Sequence, residues 1–121
     1  LEHRIRGTSP LERLARRYYL AGIRNRVVAG VRSPDPRCVS LTDHLRLMPN
    51  GDITICRSDL AVVGNAAADG FRAVWLGAEA ARLRETVRHC RRCWYTCEAI
   101  PNGIFSGDLL RWIAARWWRR P

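Results

Sequence analysis

Five cysteines stand out among the 121 residues: Cys38, Cys56, Cys90, Cys93 and Cys97. Cys38 is followed by twelve residues, then Gly51-Asp52-Ile53-Thr54-Ile55-Cys56, so the first pair reads C-x12-G-x4-C. Cys90-Arg91-Arg92-Cys93 is C-x2-C, and Cys93-Trp94-Tyr95-Thr96-Cys97 is C-x3-C. Thiols three residues apart reach one metal centre through a tight turn, and a second pair completes a four-thiolate shell. Neighbouring arginines, with His89 beside Cys90, are expected to lower the thiol pKa values and ease ligation. Softness alone does not choose the metal, because four thiolates suit zinc and an iron–sulfur cluster equally. An odd cysteine count fits a disulfide framework poorly. No Ser-His-Asp set, phosphate-binding glycine loop or zinc-hydrolase motif supports independent hydrolytic or nucleotide-driven catalysis.

The chain has the length of one domain. A capping box opens a first helix: Ser9 as N-cap, Pro10 at the first position, and Glu12. Leu11, Leu14, Ala15, Tyr18, Tyr19 and Ile23 form its apolar stripe; Gly22 weakens it and Gly30 can end it. Pro34 and Pro36 mark a connector. Leu45–Met48 and Ile53–Cys56 alternate around Pro49-Asn50-Gly51-Asp52, which reads as a β-hairpin with positive φ at both central turn residues. That hairpin returns Cys56 to the segment carrying Cys38. Leu60–Val63 reads as a short extended run stopped by Gly64-Asn65.

A second helix is expected from about Gly70 to His89, with Phe71, Val74, Trp75, Ala78, Ala81, Leu83 and Val87 as its stripe and Gly77 as an interruption. Arg82, Arg84, Arg88, Arg91 and Arg92 crowd its C-terminal end, where the helix dipole favours cations. Pro101-Asn102-Gly103 reads as a turn. Ser106 or Asp108 caps a last helix carrying Trp112, Trp117 and Trp118 with Arg111, Arg116, Arg119 and Arg120. These elements predict a small α+β domain, a β-hairpin and flanking helices around a cysteine-ligated cluster.

The stretch from Cys38 to Cys97 resembles the SPASM/twitch auxiliary-cluster region at the C-terminus of radical SAM enzymes. The shared features are Cys38, Gly51 and Cys56; the linker Val63-Gly64-Asn65, Phe71, Val74-Trp75; and Cys90-Arg91-Arg92-Cys93-Trp94-Tyr95-Thr96-Cys97-Glu98. Ile100-Pro101-Asn102 and Phe105-Ser106-Gly107-Asp108 continue it, and Arg17–Gly22 resembles the segment that joins barrel to cluster region. Five cysteines match the shorter twitch form, with one cluster, better than the seven of full SPASM.

The resemblance implies one 4Fe-4S cluster. Cys38 and Cys56 are the firmest ligands, and two more come from Cys90, Cys93 and Cys97, Cys93 being favoured with either neighbour. It implies a radical SAM core in cis or in a partner subunit, and a peptide or small-metabolite substrate. The C-x3-C-x2-C motif of the SAM-binding cluster is missing, as is the length for a barrel. The chain is therefore expected to be an excised or stand-alone accessory module of an oxidoreductase or maturase, not catalytic by itself. Its division is expected at 1–37 (helix and connector), 38–108 (cluster domain) and 109–121 (basic aromatic helix). The alternative is a zinc module that binds nucleic acid or protein through its arginines.

Around this centre, Glu98 is expected to accept a hydrogen bond from an arginine as support for the loop, or else to sit on the surface. Trp94 is expected to shield the cluster. His89 reads as a charged helix-end residue and His44 as a partly exposed strand residue, rather than ligands; His3 lies in the N-terminal tail. The formal net charge is +10, and every one of the 21 basic residues is Arg. That reads mainly as a codon-biased surface, with an anionic partner as the functional alternative. The terminal helix is expected to pack on protein rather than on a membrane. The lack of a signal-like start and of any membrane-length apolar run gives a cytoplasmic expectation.

Overall fold

The computed structural model describes residues 9–91 and 93–118. His3, Arg92, Arg119 and Arg120 lie outside them. Helix α1 spans Pro10–Val28 and opens on the expected capping box: Glu12 N–H donates to Ser9 Oγ (3.1 Å) and Ser9 N–H to Glu12 Oε2 (2.7 Å). The helix runs through Gly22 without a break and ends at Val28, capped by Ala29, before Gly30 takes φ +64°. Of the anticipated stripe only Tyr18 is buried, together with Gly22; Leu11 is exposed.

Strands β1 (Arg46–Leu47) and β2 (Asp52–Thr54) form the expected hairpin, with Arg46 opposite Thr54 and Leu47 opposite Ile53. Its turn differs from the expectation: Gly51 has φ +89°, whereas Asn50 does not have a positive φ. Gly51 N–H donates to Met48 O (2.9 Å) and Met48 N–H to Asp52 O (2.8 Å). Pro49 at the second turn position and a left-handed Gly51 at the fourth make a three-residue loop with a glycine bulge. Strand β3 (Val62–Asn65) pairs antiparallel with β2, giving the order β1-β2-β3. Gly64 and Asn65 continue the strand rather than stop it, pairing with Ile53 and Asp52. A side chain on Gly64 would collide with Val74, so glycine there lets the next helix lie close.

The expected Gly70–His89 helix is divided. A π-helical turn (Ala66–Gly70) is capped by Asn65 Oδ1, which accepts from Ala67 and Ala68 N–H (both 2.9 Å). Helix α2 (Phe71–Leu76) and helix α3 (Ala78–Arg88) follow, separated at Gly77, which is extended with ψ 162°. The break resets the helical phase. Val74, Ala80, Leu83 and Val87 are therefore buried, while Phe71 and Ala81 are exposed. With Leu41, Ile53, Ile55 and Val63 they form the main core, which also holds Cys38 and Cys56.

Helix α4 (Thr96–Phe105) occupies the region read as a turn at Pro101–Gly103, and helix α5 spans Asp108–Trp118. Pro101 lies inside α4 and gives up one backbone bond. Tertiary contacts hold the helix: Asn102 and Gly103 are buried, and a Cβ on Gly103 would come within 2.7 Å of the Tyr18 ring. Helices α1, α4 and α5 pack together around Tyr18. The Tyr18 ring meets Trp94 at 5.6 Å and Trp112 edge-on at 5.7 Å, and its hydroxyl donates to Asp108 Oδ2 (2.7 Å). The fold is thus α+β, with a three-stranded sheet and flanking helices. Among the described residues no helix is long and apolar enough to cross a membrane.

Candidate metal centre

Cys38 and Cys56 enter the site from the sheet side. Cys38 precedes a tight bend in which Val39, Ser40 and Leu41 are fully buried. Leu41 has φ 60°, a costly value for a branched side chain. Arg84 holds it there, donating through Nε to Leu41 O and through its terminal nitrogen to Trp75 O, each at 2.6 Å. Ser40 Oγ donates to Ile55 O, tying the bend to the residue before Cys56. Both thiols are buried.

Burial pushes the Cys38 and Cys56 thiols above their ordinary pKa, because the charged form loses hydration. Backbone hydrogen bonds oppose this: Ser40 at the Cys38 sulfur, Ser58 and Asp59 at the Cys56 sulfur. The neighbouring acidic groups push both upward again, Cys90 and Glu98 among them in each case.

Cys90 and Cys93 come from the irregular segment between α3 and α4, and both are half-buried. The Cys93 thiol is pushed up to about 11, first by burial and then by Glu98, Cys38, Cys56 and Cys90. Burial therefore raises the Cys93 thiol where the sequence suggested that arginines would lower it. Arg91 lines the cleft of these thiols but directs its bonds to Asp35. Arg88 pairs with Glu85 (3.1 Å), Arg91 reaches the Asp35 carbonyl (3.1 Å), and exposed His89 stands by Glu85 (3.7 Å).

The four thiols of Cys38, Cys56, Cys90 and Cys93 thus share one electrostatic neighbourhood with Glu98. Cys38, Cys90 and Cys93 also line one small cleft with Arg26, Asp35, Trp94 and Asn102. Cys97, in the first turn of α4, is exposed and is not among the main influences on the three perturbed thiols. Among the described residues no three Cys, His, Asp or Glu side chains stand close enough to hold a single metal ion. The thiols share a neighbourhood without converging on one point. Four soft thiols are nonetheless the donor set an iron–sulfur cluster takes.

Glu98 is not on the surface, and among the described residues it pairs with no arginine. It is 3% exposed, and its Oε2 lies 3.1 Å from His44 Nε2. The pair is close but misaligned, and neither atom completes a hydrogen bond among the described residues. His44, at the far side of the Ser40 bend, is bridged to Ser40 rather than placed in a strand.

Trp94 turns its ring onto α1. It stacks on Tyr19 (6.2 Å, 3°), lies beneath the Arg26 guanidinium (3.9 Å) and donates through Nε1 to Tyr19 O (3.0 Å). Gly22 makes room for it: a Cβ there would stand 2.0 Å from the indole.

Three supporting residues escaped the sequence analysis. Asn102 Oδ1 accepts from Val39 N–H (2.9 Å), fixing the bend after Cys38 to α4. Asp35 faces both Arg26 (3.4 Å) and Arg91 (3.6 Å), linking α1 to the C-x2-C segment. Arg84 carries the Leu41 carbonyl. Asn102 had a signal in its Pro-Asn-Gly context, but that context indicates a turn; the other two look like ordinary surface charges.

Residues 38–94, a little under half of the chain, match the family model SPASM, an iron–sulfur cluster-binding domain. The matched stretch contains Cys38, Cys56, Cys90 and Cys93 and ends before Cys97. No curated protein and no solved structure matches the chain. Over residues 38–94 the chain is similar to a SPASM iron–sulfur cluster-binding domain.

Proposed function

We propose that Cys38, Cys56, Cys90 and Cys93 hold one 4Fe-4S cluster, and that the chain serves as the auxiliary cluster module of a radical SAM enzyme. The observation that carries the ligand set is the shared neighbourhood of these four thiols, which leaves Cys97 outside. The stretch that matches the family model contains the same four.

Once bound, such a cluster supplies one-electron chemistry. The protein's own part is to hold and tune it. Backbone hydrogen bonds at the Cys38 and Cys56 sulfurs favour the thiolates there. Trp94 and Asn102 close the cleft on the α1 and α4 sides. Glu98 adds a buried acidic group that disfavours further negative charge on the sulfurs. This arrangement suits electron transfer to or from a substrate radical, or anchoring of a substrate near a partner core.

Anaerobic reconstitution tests the reading. The expected product is brown, with about four iron and four sulfide per chain, the composition of one 4Fe-4S cluster. Stoichiometric zinc in a colourless product, with no bound sulfide, would contradict it.

A further inference from the structure

Helices α1 and α5 leave a groove of about 780 Å³ open between them. Leu14 and Leu20 of α1 and Ile113 and Trp117 of α5 give it apolar walls, and Arg17 and Arg116 line it as well. Neither arginine has a carboxylate partner among the described residues; Arg116 lies over the Trp112 ring at 4.7 Å. The acidic residues of the two helices are engaged elsewhere. Glu12 closes the capping box and Asp108 accepts from Tyr18. The groove therefore offers apolar surface and positive charge together.

Its dimensions favour one kind of occupant. The α1 lining runs from Leu14 to Ala21, which is about two helical turns. Two turns of a helix roughly 10 Å across fill about 800 Å³. A bilayer surface is broad and cannot enter a concavity between two helices, whereas a third helix packs into one.

We infer that the α1/α5 groove is the docking site of an acidic amphipathic helix from a partner. Apolar residues at i, i+3, i+4 and i+7 of that helix pack between Leu14, Leu20, Ile113 and Trp117. Carboxylates flanking its stripe pair with Arg17 and Arg116, whose forked donors match them.

The test uses the full chain and a model helix of about 18 Leu, Ala and Glu residues, long enough to be helical. A counterpart with Lys for Glu, and phosphatidylglycerol vesicles, provide the other arms. Calorimetry is expected to show one-to-one binding of the Glu peptide and at least about tenfold weaker binding of the Lys peptide. In the exposed pair Arg17→Glu/Arg116→Glu the preference reverses, with unchanged circular dichroism. Trp117→Glu weakens both peptides. Equal binding of the two peptides, binding of neither, an unreversed preference, or arginine-dependent binding to vesicles in place of the peptide would overturn the inference.

Discussion

The two halves of the proposed ligand set are positioned by different means. Cys38 and Cys56 sit in the main core, with backbone hydrogen bonds at their sulfurs and the Ser40–Ile55 bond joining their segments. Cys90 and Cys93 lie on irregular backbone after α3. That segment is held from the opposite layer, by Trp94 on Tyr19 and by Asp35 on Arg91. The first half is fixed by its own hairpin together with Arg84 of α3 and Asn102 of α4, the second by side chains reaching from α1 and the connector. In the proposed site the hairpin half, seated in the core, is the template, and the half-buried C-x2-C half is expected to adjust to a cluster.

The largest expected effect breaks the template. In small metal domains binding free energy is folding free energy. Reconstitution should raise the melting midpoint of the wild type and leave Cys56→Ala unmoved. An equal rise in both would show that Cys56 is not a ligand.

Arg84→Met should come next. It leaves two carbonyls, of Leu41 and Trp75, without their charged donor, a loss of about 1.5–3 kcal/mol for a hydrogen bond to a charged group. Denaturant unfolding of the unloaded protein measures it. A change under about 0.5 kcal/mol would mean that Leu41 keeps its left-handed backbone without help.

Gly22→Ala attacks the other half. The new Cβ displaces Trp94, and overpacking of this kind costs about 1–3 kcal/mol, partly offset by the better helix propensity of Ala. Cluster loading should fall along with stability, because Trp94 adjoins Cys93. Unchanged loading would separate the Trp94 anchor from the site.

The smallest expected effect concerns Tyr18. Tyr18→Phe removes the bond to Asp108, about 1–2 kcal/mol at neutral pH. Burial, then the hydrogen bond to Asp108, raises the Tyr18 pKa above its ordinary 10.0 in the folded state. The unfolded chain therefore releases this proton first. Tyr18 contributes fully below about pH 10, and stability falls as pH rises past that value. The alkaline decline should be shallower in Tyr18→Phe; an identical slope would remove Tyr18 as its source.

Much of this contrast was legible in the cysteine spacing and in local signals. The Ser9-Pro10-Glu12 box, the Pro-Asn-Gly hairpin and the Gly77 break each act over a few residues, and each stands in the structure. What escaped the sequence depends on contacts across the chain. Pro101-Asn102-Gly103 looks like a turn, but Tyr18 packs on Gly103 and Val39 bonds to Asn102, so the segment remains helical. Gly22 looks like a helix weakener, and is the space that Trp94 needs. The arginines around Cys90 promised acidic thiols, yet burial raised Cys38, Cys56 and Cys93, and Arg91 bonds to Asp35 instead. Glu98 was placed near the ligands, but its depth and its facing His44 come from the packing of α4 against the Ser40 bend.

The most direct test of the central claim is iron and sulfide content across five single variants, Cys38→Ala, Cys56→Ala, Cys90→Ala, Cys93→Ala and Cys97→Ala, each reconstituted anaerobically beside the wild type. The shared neighbourhood of four thiols predicts loss of the 4Fe-4S complement in the first four and full retention in Cys97→Ala. A loaded Cys90→Ala together with an empty Cys97→Ala would contradict it.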